Sequence, residues 1–219
     1  MPSERELMEI HADVLFRHDG AGRMLDVNEP PYDEAPRFFL GATKDGNVRR
    51  YHHALESRVV QELAHAGTEL AGLIRVLARD RAVKCVDFGP TFLFPDVRHR
   101  NTKAIQINES NSHVLKPHFP YTFEELAEKQ PCFAIVQDGT AVCVCRSARQ
   151  TGSAAEASLD TLEPFRGRGY AVEVAEAWAA AVQRQGRIAL YSTAWDNFAS
   201  QAVARKLQLI QYGTEITID

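Results

Sequence analysis

Arg166-Gly167-Arg168-Gly169-Tyr170-Ala171 is the stretch of this chain whose residue types are best suited to chemistry. It lies between a strand-like run, Ala157 to Leu162, and an apolar helical pattern that begins near Tyr170. A helix N-terminus has N–H groups without internal partners and a partial positive charge. Glycine lets the backbone approach a ligand closely, because no Cβ intervenes. Together these features cradle an anion such as a phosphate. The spacing is neither the dinucleotide G-x-G-x-x-G nor the P-loop, since no Gly-Lys-Ser/Thr follows. On this segment alone, a tight strand-to-helix turn with two solvated arginines explains the residues equally well.

A second segment adds specificity. Strand-like Ile188 to Thr193 leads to Asn197, Ser200 and then Ala204-Arg205-Lys206-Leu207-Gln208-Leu209. In this order and at this separation, the two segments resemble the GNAT superfamily of acyl-CoA-dependent N-acetyltransferases. Arg166, Gly169 and Ala171 match that family's [Gln/Arg]-x-x-Gly-x-[Gly/Ala] pyrophosphate loop. Asn197 matches the Asn after the fifth strand, and Lys206-Leu207-Gln208-Leu209 stands where the family has Lys-Leu-Gly-Phe. The resemblance covers Ala82 to Asp219 and is sharpest from Glu156 onward. The run Trp195-Asp196-Asn197-Phe198-Ala199-Ser200 is also similar to a GNAT branch with an atypical N-terminal half.

The resemblance implies acetyl-CoA as co-substrate and direct transfer of its acetyl group to an amine in a ternary complex. Two neighbouring strands would splay, here the one ending at Leu162 and the one running Ile188 to Thr193. Backbone groups of Leu159 and Thr161 would bond the pantetheine arm as an added strand does. The pyrophosphate would sit on N–H groups of Gly167, Arg168, Gly169, Tyr170 and Ala171, with Arg166 adding charge. Asn197 reads as a helix cap, as a polar wall of the cofactor site, or as both; Ser200 reads as a cofactor contact or a small packing residue. An alkyl amine has a pKa near ~10 and must lose a proton before attack. Glu156 and Asp160 are the candidate bases, and strict strand alternation puts them on one face. Where many relatives carry an acidic Tyr, seven residues after the Asn, this chain has Ala204. Tyr191 is the candidate substitute. The missing Tyr keeps open a second reading, an acyl-CoA-binding or sensing module without turnover. A third is a phosphate- or nucleotide-binding α/β protein unrelated to CoA.

The whole chain bounds these readings. Its 219 residues carry a net charge of -4, with 45% hydrophobic and 25% charged residues, an ordinary balance for a soluble globular protein. That charge gives no support to nucleic-acid binding. No apolar run reaches membrane-spanning length, and Met1 to Glu9 has no apolar signal region, so a cytoplasmic protein is expected. Cys85, Cys132, Cys143 and Cys145 contain no C-x-x-C and read as buried free thiols. No metal site is expected.

The elements that must position the site follow from periodicity. Ser3 to His18, Glu56 to Ala66 and Glu69 to Arg79 read as helices. Arg37 to Thr43 and Val48 to His52 read as a hairpin. Val83 to Phe88 and Ala104 to Asn108 read as strands, with Gly89-Pro90 as a break. Thr122 and Glu125 predict a capping box for a helix over Tyr121 to Gln130. Asp138-Gly139 predicts a hairpin between Cys132 to Val136 and Ala141 to Cys145. Arg146 to Ala154 reads as a polar loop. Tyr170 to Arg184 is a helix closed by Gly186. Thr214 to Ile218 is expected as an edge strand. The fold class expected is α+β: a mostly antiparallel GNAT-like sheet with helices on both faces, with splayed central strands. Residues 82–219 would form the catalytic domain. Residues 1–81 would form an N-terminal α/β extension that completes the acceptor pocket, forms a homodimer surface or is a degenerate half-domain. The acceptor, a small-molecule or protein amine, is not legible.

Overall fold

Ser3 starts the first helix through a capping box: its Oγ accepts from Glu6 N–H at 3.2 Å while its own N–H donates to Glu6 Oε2 at 2.7 Å. The computed structural model describes residues 2–97 and 102–219. In chain order the elements are α1 (Glu4–Leu15), β1 (Phe16–His18), β2 (Met24–Val27), β3 (Phe38–Thr43), β4 (Gly46–Tyr51), α2 (Ser57–His65) and α3 (Leu70–Leu77). There follow β5 (Val86–Leu93), β6 (Ile105–Ile107), α4 (Pro120–Glu124), β7 (Cys132–Gln137), β8 (Thr140–Gln150) and β9 (Ala154–Thr161). The chain ends with α5 (Tyr170–Arg184), β10 (Ile188–Ser192), α6 (Phe198–Lys206) and β11 (Ile210–Ile218). It divides into two compact units. The first holds the chain up to Thr91 with Thr193–Asn197 and Gln211–Asp219; the second holds Phe92–Ser192 and Phe198–Ile210.

In the first unit the strand order is β4-β3-β11-β5. Phe38 and Leu40 on β3 and Ile218 on β11 pack with Leu63, Leu73 and Leu77 from α2 and α3. The other face of β3 meets α1, where Met8 lies so close to Gly41 that a Cβ there would stand 2.2 Å from Met8 Cγ. The expectation of β11 as an edge strand was wrong. It pairs antiparallel with β3, and on its other flank Asp219 exchanges backbone bonds with Lys84 and Cys85. Alternation shows a strand but not its neighbours, which nonlocal pairing decides.

In the second unit the order is β10-β9-β8-β7-β6. The Asp138-Gly139 hairpin forms as expected, with positive φ at both residues. The apolar helix α5 lies on one face, its buried Val174, Trp178 and Val182 packed with Cys143, Cys145, Ala155, Ala157 and Ala189. The opposite face is covered by Leu115, Phe119 and Leu126, packed on Ile107, Cys132, Ala134 and Val144. The fold is thus mixed α+β, mostly antiparallel, with helices on both faces.

Four local expectations fail for identifiable reasons. β5 runs straight through Gly89-Pro90, because the Pro90 carbonyl still accepts from Thr193 N–H at 3.3 Å. α4 stops at Glu124, and its cap position is Phe119, with Thr122 buried inside the helix. The polar stretch Arg146 to Gln150 is strand, because each polar side chain in it finds a partner: Arg146 pairs with Asp160, Ser147 with Trp178, Arg149 with Glu156 and Gln150 with Arg187. The four thiols are free, but Cys85 is exposed and only the other three are buried.

Candidate active site

β9 and β10 run parallel through three pairs, Ile188↔Ala154, Ala189↔Ala155 and Leu190↔Glu156. The pairing ends there, while β9 continues to Thr161 against β8 alone. Leu162 N–H donates to Val142 O at 3.0 Å. Antiparallel bonding alternates along a strand, so the backbone groups of Leu159 and Thr161 are directed away from β8. This is the splay, and Leu159 and Thr161 line its β9 side. The Thr161 carbonyl accepts from Arg166 Nε at 3.3 Å.

Beyond Leu162 a 3-10 turn, Glu163–Phe165, delivers the chain to α5. Gly167 and Gly169 take φ of 78° and 84°, the left-handed region where an L side chain is strained. Gly169 caps α5, its carbonyl accepting from Val172 and Glu173. Among the described residues, the backbone N–H groups of Gly167, Arg168, Gly169, Tyr170 and Ala171 have no protein acceptor. A Cβ placed on either glycine would meet nothing within 4 Å. The glycines are therefore required by backbone conformation, and the space beside them is open. Arg168 donates to Pro164 O at 3.0 Å and lies over the Phe165 ring at 5.0 Å. Both arginines thus brace the turn while keeping their charge beside it. Unpaired amides, helix polarity and two guanidinium groups suit a diphosphate.

On the sheet face away from α5, Glu156 is 4% exposed. Its Oε1 accepts from Ser192 Oγ at 2.7 Å, and its Oε2 pairs with Arg149 Nη1 at 3.2 Å. Asp160 shares this face, since no irregularity interrupts β9 between them; the bulge lies instead in β8, between Ser147 and Arg149. Asp160 is half exposed and pairs with Arg146 at 2.7 Å. The two acids thus differ: Glu156 is an enclosed carboxylate reached through the half-buried Ser192, and Asp160 is a solvated partner of an arginine.

Tyr191 points to the other face. It packs against Phe92 and Phe94, and its hydroxyl meets Ser200 Oγ at 2.6 Å. Burial pushes the phenol up from its ordinary value, with the Ser200 bond opposing. It therefore stays protonated at neutral pH. Ala204 is buried in the α5-side core, so no hydroxyl is supplied from there. Asn197 immediately precedes α6, its N–H donating to Ala194 O at 3.1 Å. The structure brings Glu156 and Asp160 onto one face and Tyr191 with Ser200 onto the other. Sequence reasoning missed Ser192, Arg149 and Arg146. Ser192 was detectable, because it falls two residues after Leu190 on the Glu156 face; Arg149 was not, because a bulge decides where it points. Among the described residues no group of three or more His, Cys, Asp or Glu could hold a metal ion, and no helix is long and apolar enough to cross a membrane.

Comparison with known proteins agrees with this architecture. The GNAT acetyltransferase family profile matches residues 94–213, more than half of the chain. The chain therefore belongs to the GNAT acetyltransferase family. Its fold is similar to that of a GCN5-related N-acetyltransferase-like protein from Streptococcus suis 89/1591, at TM-score 0.52 and 13% identity over 84% of this chain and 85% of that one. It is also similar to a GNAT-family acetyltransferase from Colwellia psychrerythraea, at TM-score 0.51 and 10% identity over 78% of this chain and 75% of that one. A GNAT-family acetyltransferase from Novosphingobium aromaticivorans DSM 12444 has TM-score 0.49 and 14% identity, and this match covers 62% of this chain and 65% of that one. No curated protein matches the sequence.

Proposed function

We propose that this protein is an acetyl-CoA-dependent N-acetyltransferase that transfers the acetyl group directly to an amine in a ternary complex. The observation that carries this reading is the run of amide N–H groups from Gly167 to Ala171 with no acceptor among the described residues. Such groups with an ionised acceptor contribute ~1.5–3 kcal/mol each, enough together to anchor a diphosphate after association costs. Leu159, Thr161 and Leu162 would line the pantetheine arm along and just past the stretch of β9 that β10 does not pair. Asn197 and Ser200 are proposed as contacts from the α6 end.

Acetyl-CoA supplies the activated acyl group. The chain must then remove a proton from the amine and return one to the leaving thiolate. Glu156 is the proposed base. Both its oxygens are engaged, and the proton it would take is the one that the Ser192 hydroxyl already directs at Oε1. Its enclosure makes Ser192 the relay: the Ser192 hydroxyl takes the amine proton as it passes its own to Glu156 Oε1. The C–N bond forms, the C–S bond breaks, and the thiolate takes a proton from Tyr191 or from water. Arg149 keeps Glu156 oriented. Asp160 is proposed only as a secondary base, because Arg146 and solvent share its charge.

A second reading, binding without turnover, is favoured by the buried Ala204 at the usual acid position. Calorimetry with acetyl-CoA, ATP and NAD is the first test. Binding of acetyl-CoA in preference to the other two supports the site, and equal or no binding overturns it. A screen of amines for free-thiol release then separates the enzyme from the sensor. The role of residues 1–81, whether acceptor pocket, dimer surface or degenerate half-domain, and a cytoplasmic location stay with this proposal.

A further inference from the structure

We propose that Lys129 is a positioning residue, a buried lock on the β8 bulge that turns Arg149 onto Glu156. The inference rests on the reading of Glu156 as base, but its test does not require turnover.

The argument starts from strand alternation. On β8, Cys143, Cys145 and Ser147 face α5: the two thiols lie in its core, and Ser147 Oγ accepts from Trp178 Nε1 at 3.1 Å. In a regular strand Arg149 would follow Ser147 onto that helix face, and Ala148 would stand opposite Glu156. The observed register is different. Ser147 pairs with Ala157, and Arg149, not Ala148, pairs with Glu156. Ala148 is the extra residue of a bulge, and a one-residue slip moves every later side chain to the other face. That slip carries Arg149 away from the α5 core and delivers its guanidinium to Glu156 Oε2 at 3.2 Å.

A bulge residue loses its ladder bonds, and its carbonyl needs another donor. Lys129 supplies it, donating from Nζ to Ala148 O at 3.2 Å while only 2% exposed. Burying an ammonium is costly unless it is paired, and Glu125 Oε2 lies 3.5 Å away. The backbone of Lys129 secures the other side of the bulge, since Ser147 N–H donates to Lys129 O at 3.2 Å and to Pro131 O at 3.3 Å. Gln150 Nε2 closes the clamp on Glu128 O at 2.6 Å. The charged lysine thus sits where the strand would otherwise regain the regular register.

The test is a pair of crystal structures of the full chain. Lys129→Met keeps the volume and removes the donor. Ala148 is expected to enter the ladder opposite Glu156, with Arg149 leaving hydrogen-bond reach of the carboxylate. Deleting Ala148 from Lys129→Met removes the extra residue itself. The strand then alternates regularly with Arg149 opposite Glu156, and the pair is expected to return. Retention of the Arg149–Glu156 contact in Lys129→Met overturns the proposal, as does its absence from the deletion variant. If Lys129→Met fails to fold, the deletion variant alone decides, and its failure to fold also overturns the proposal, since a regular strand needs no lock. In turnover, Lys129→Met should lower kcat without changing KM for acetyl-CoA, and the deletion should restore it. If the contact moves as expected in both structures while kcat does not follow, Lys129 stands as the lock and Glu156 is not the base.

Discussion

Ser192 Oγ donates to Glu156 Oε1 at 2.7 Å, joining β10 to β9 just beyond their last parallel pair, Leu190↔Glu156. The bond lies where the two strands begin to part, so an acid enclosed by the sheet is connected to the opening through one hydroxyl. Glu156→Gln should lower kcat by about 10²–10⁴-fold, the usual contribution of a positioned base, while acetyl-CoA affinity holds. Ser192→Ala should act in the same direction by a smaller factor. Asp160→Asn should change little, because exposed pairs like Arg146–Asp160 contribute about 0–1 kcal/mol. Steady-state kinetics with calorimetry checks all three; an Asp160 effect larger than the Glu156 effect would reverse the assignment.

Gly169→Ala should weaken acetyl-CoA binding. Its φ of 84° costs an L residue about 1–2 kcal/mol, so the turn relaxes and the amide array disperses. Gly167→Ala, at 78°, should behave alike. Binding unchanged in both variants would show that the diphosphate is held elsewhere.

Gly89→Ala should destabilise the first unit. The new Cβ would stand 1.7 Å from Thr193 O and 2.7 Å from Thr193 C, and backbone cannot yield as a side-chain tip can. The bonds Thr193 N–H to Pro90 O and Trp195 N–H to Phe88 O, each 3.3 Å, would be forced apart. Overpacking usually costs about 1–3 kcal/mol, and this contact belongs at the upper end. An unchanged denaturation midpoint would contradict the close approach.

Stability should fall as pH rises above about 9. Burial pushes the Cys132 thiol up to about 12 and Cys143 up to about 11, and raises Cys145 and Tyr191 as well. An unfolded thiol titrates near ~8.5. Between that value and the folded ones, the folded state holds more protons, so stability declines with increasing pH. It is fully present below the unfolded value and is lost as pH rises through the folded ones. Melting temperatures between about pH 8 and 11 test this, with a flat profile as the contrary result.

Local signals carried much of the fold. Asp138-Gly139 and Gly186 marked element ends that depend on a few adjacent residues, and the structure has them there. Arg146 to Gln150 misled because polar residues read as loop when their partners are distant in sequence. Tyr121 to Gln130 misled because a matching cap pattern at Thr122 lay one turn inside a short helix started by Pro120. The same division applies to the site. The turn from Arg166 to Ala171 was legible, since its positive-φ glycines and helix start are contiguous. Arg149 and Lys129 were not, because each meets its partner only across a bulge; the face of Ser192 followed from alternation, but its bond to Glu156 on another strand did not.

The amino-acid order by itself determined which backbone turns could form, where α5 begins and which residues could carry charge beside it, since these follow from torsion preferences and spacing over a few residues. Only the tertiary structure decided that β9 and β10 part after Leu190↔Glu156 and that Arg149 and Ser192 meet the Glu156 carboxylate. It also decided that Tyr191 turns to the opposite face with Ser200. Those outcomes depend on strand register, and register is a cooperative property of pairing and packing between distant segments.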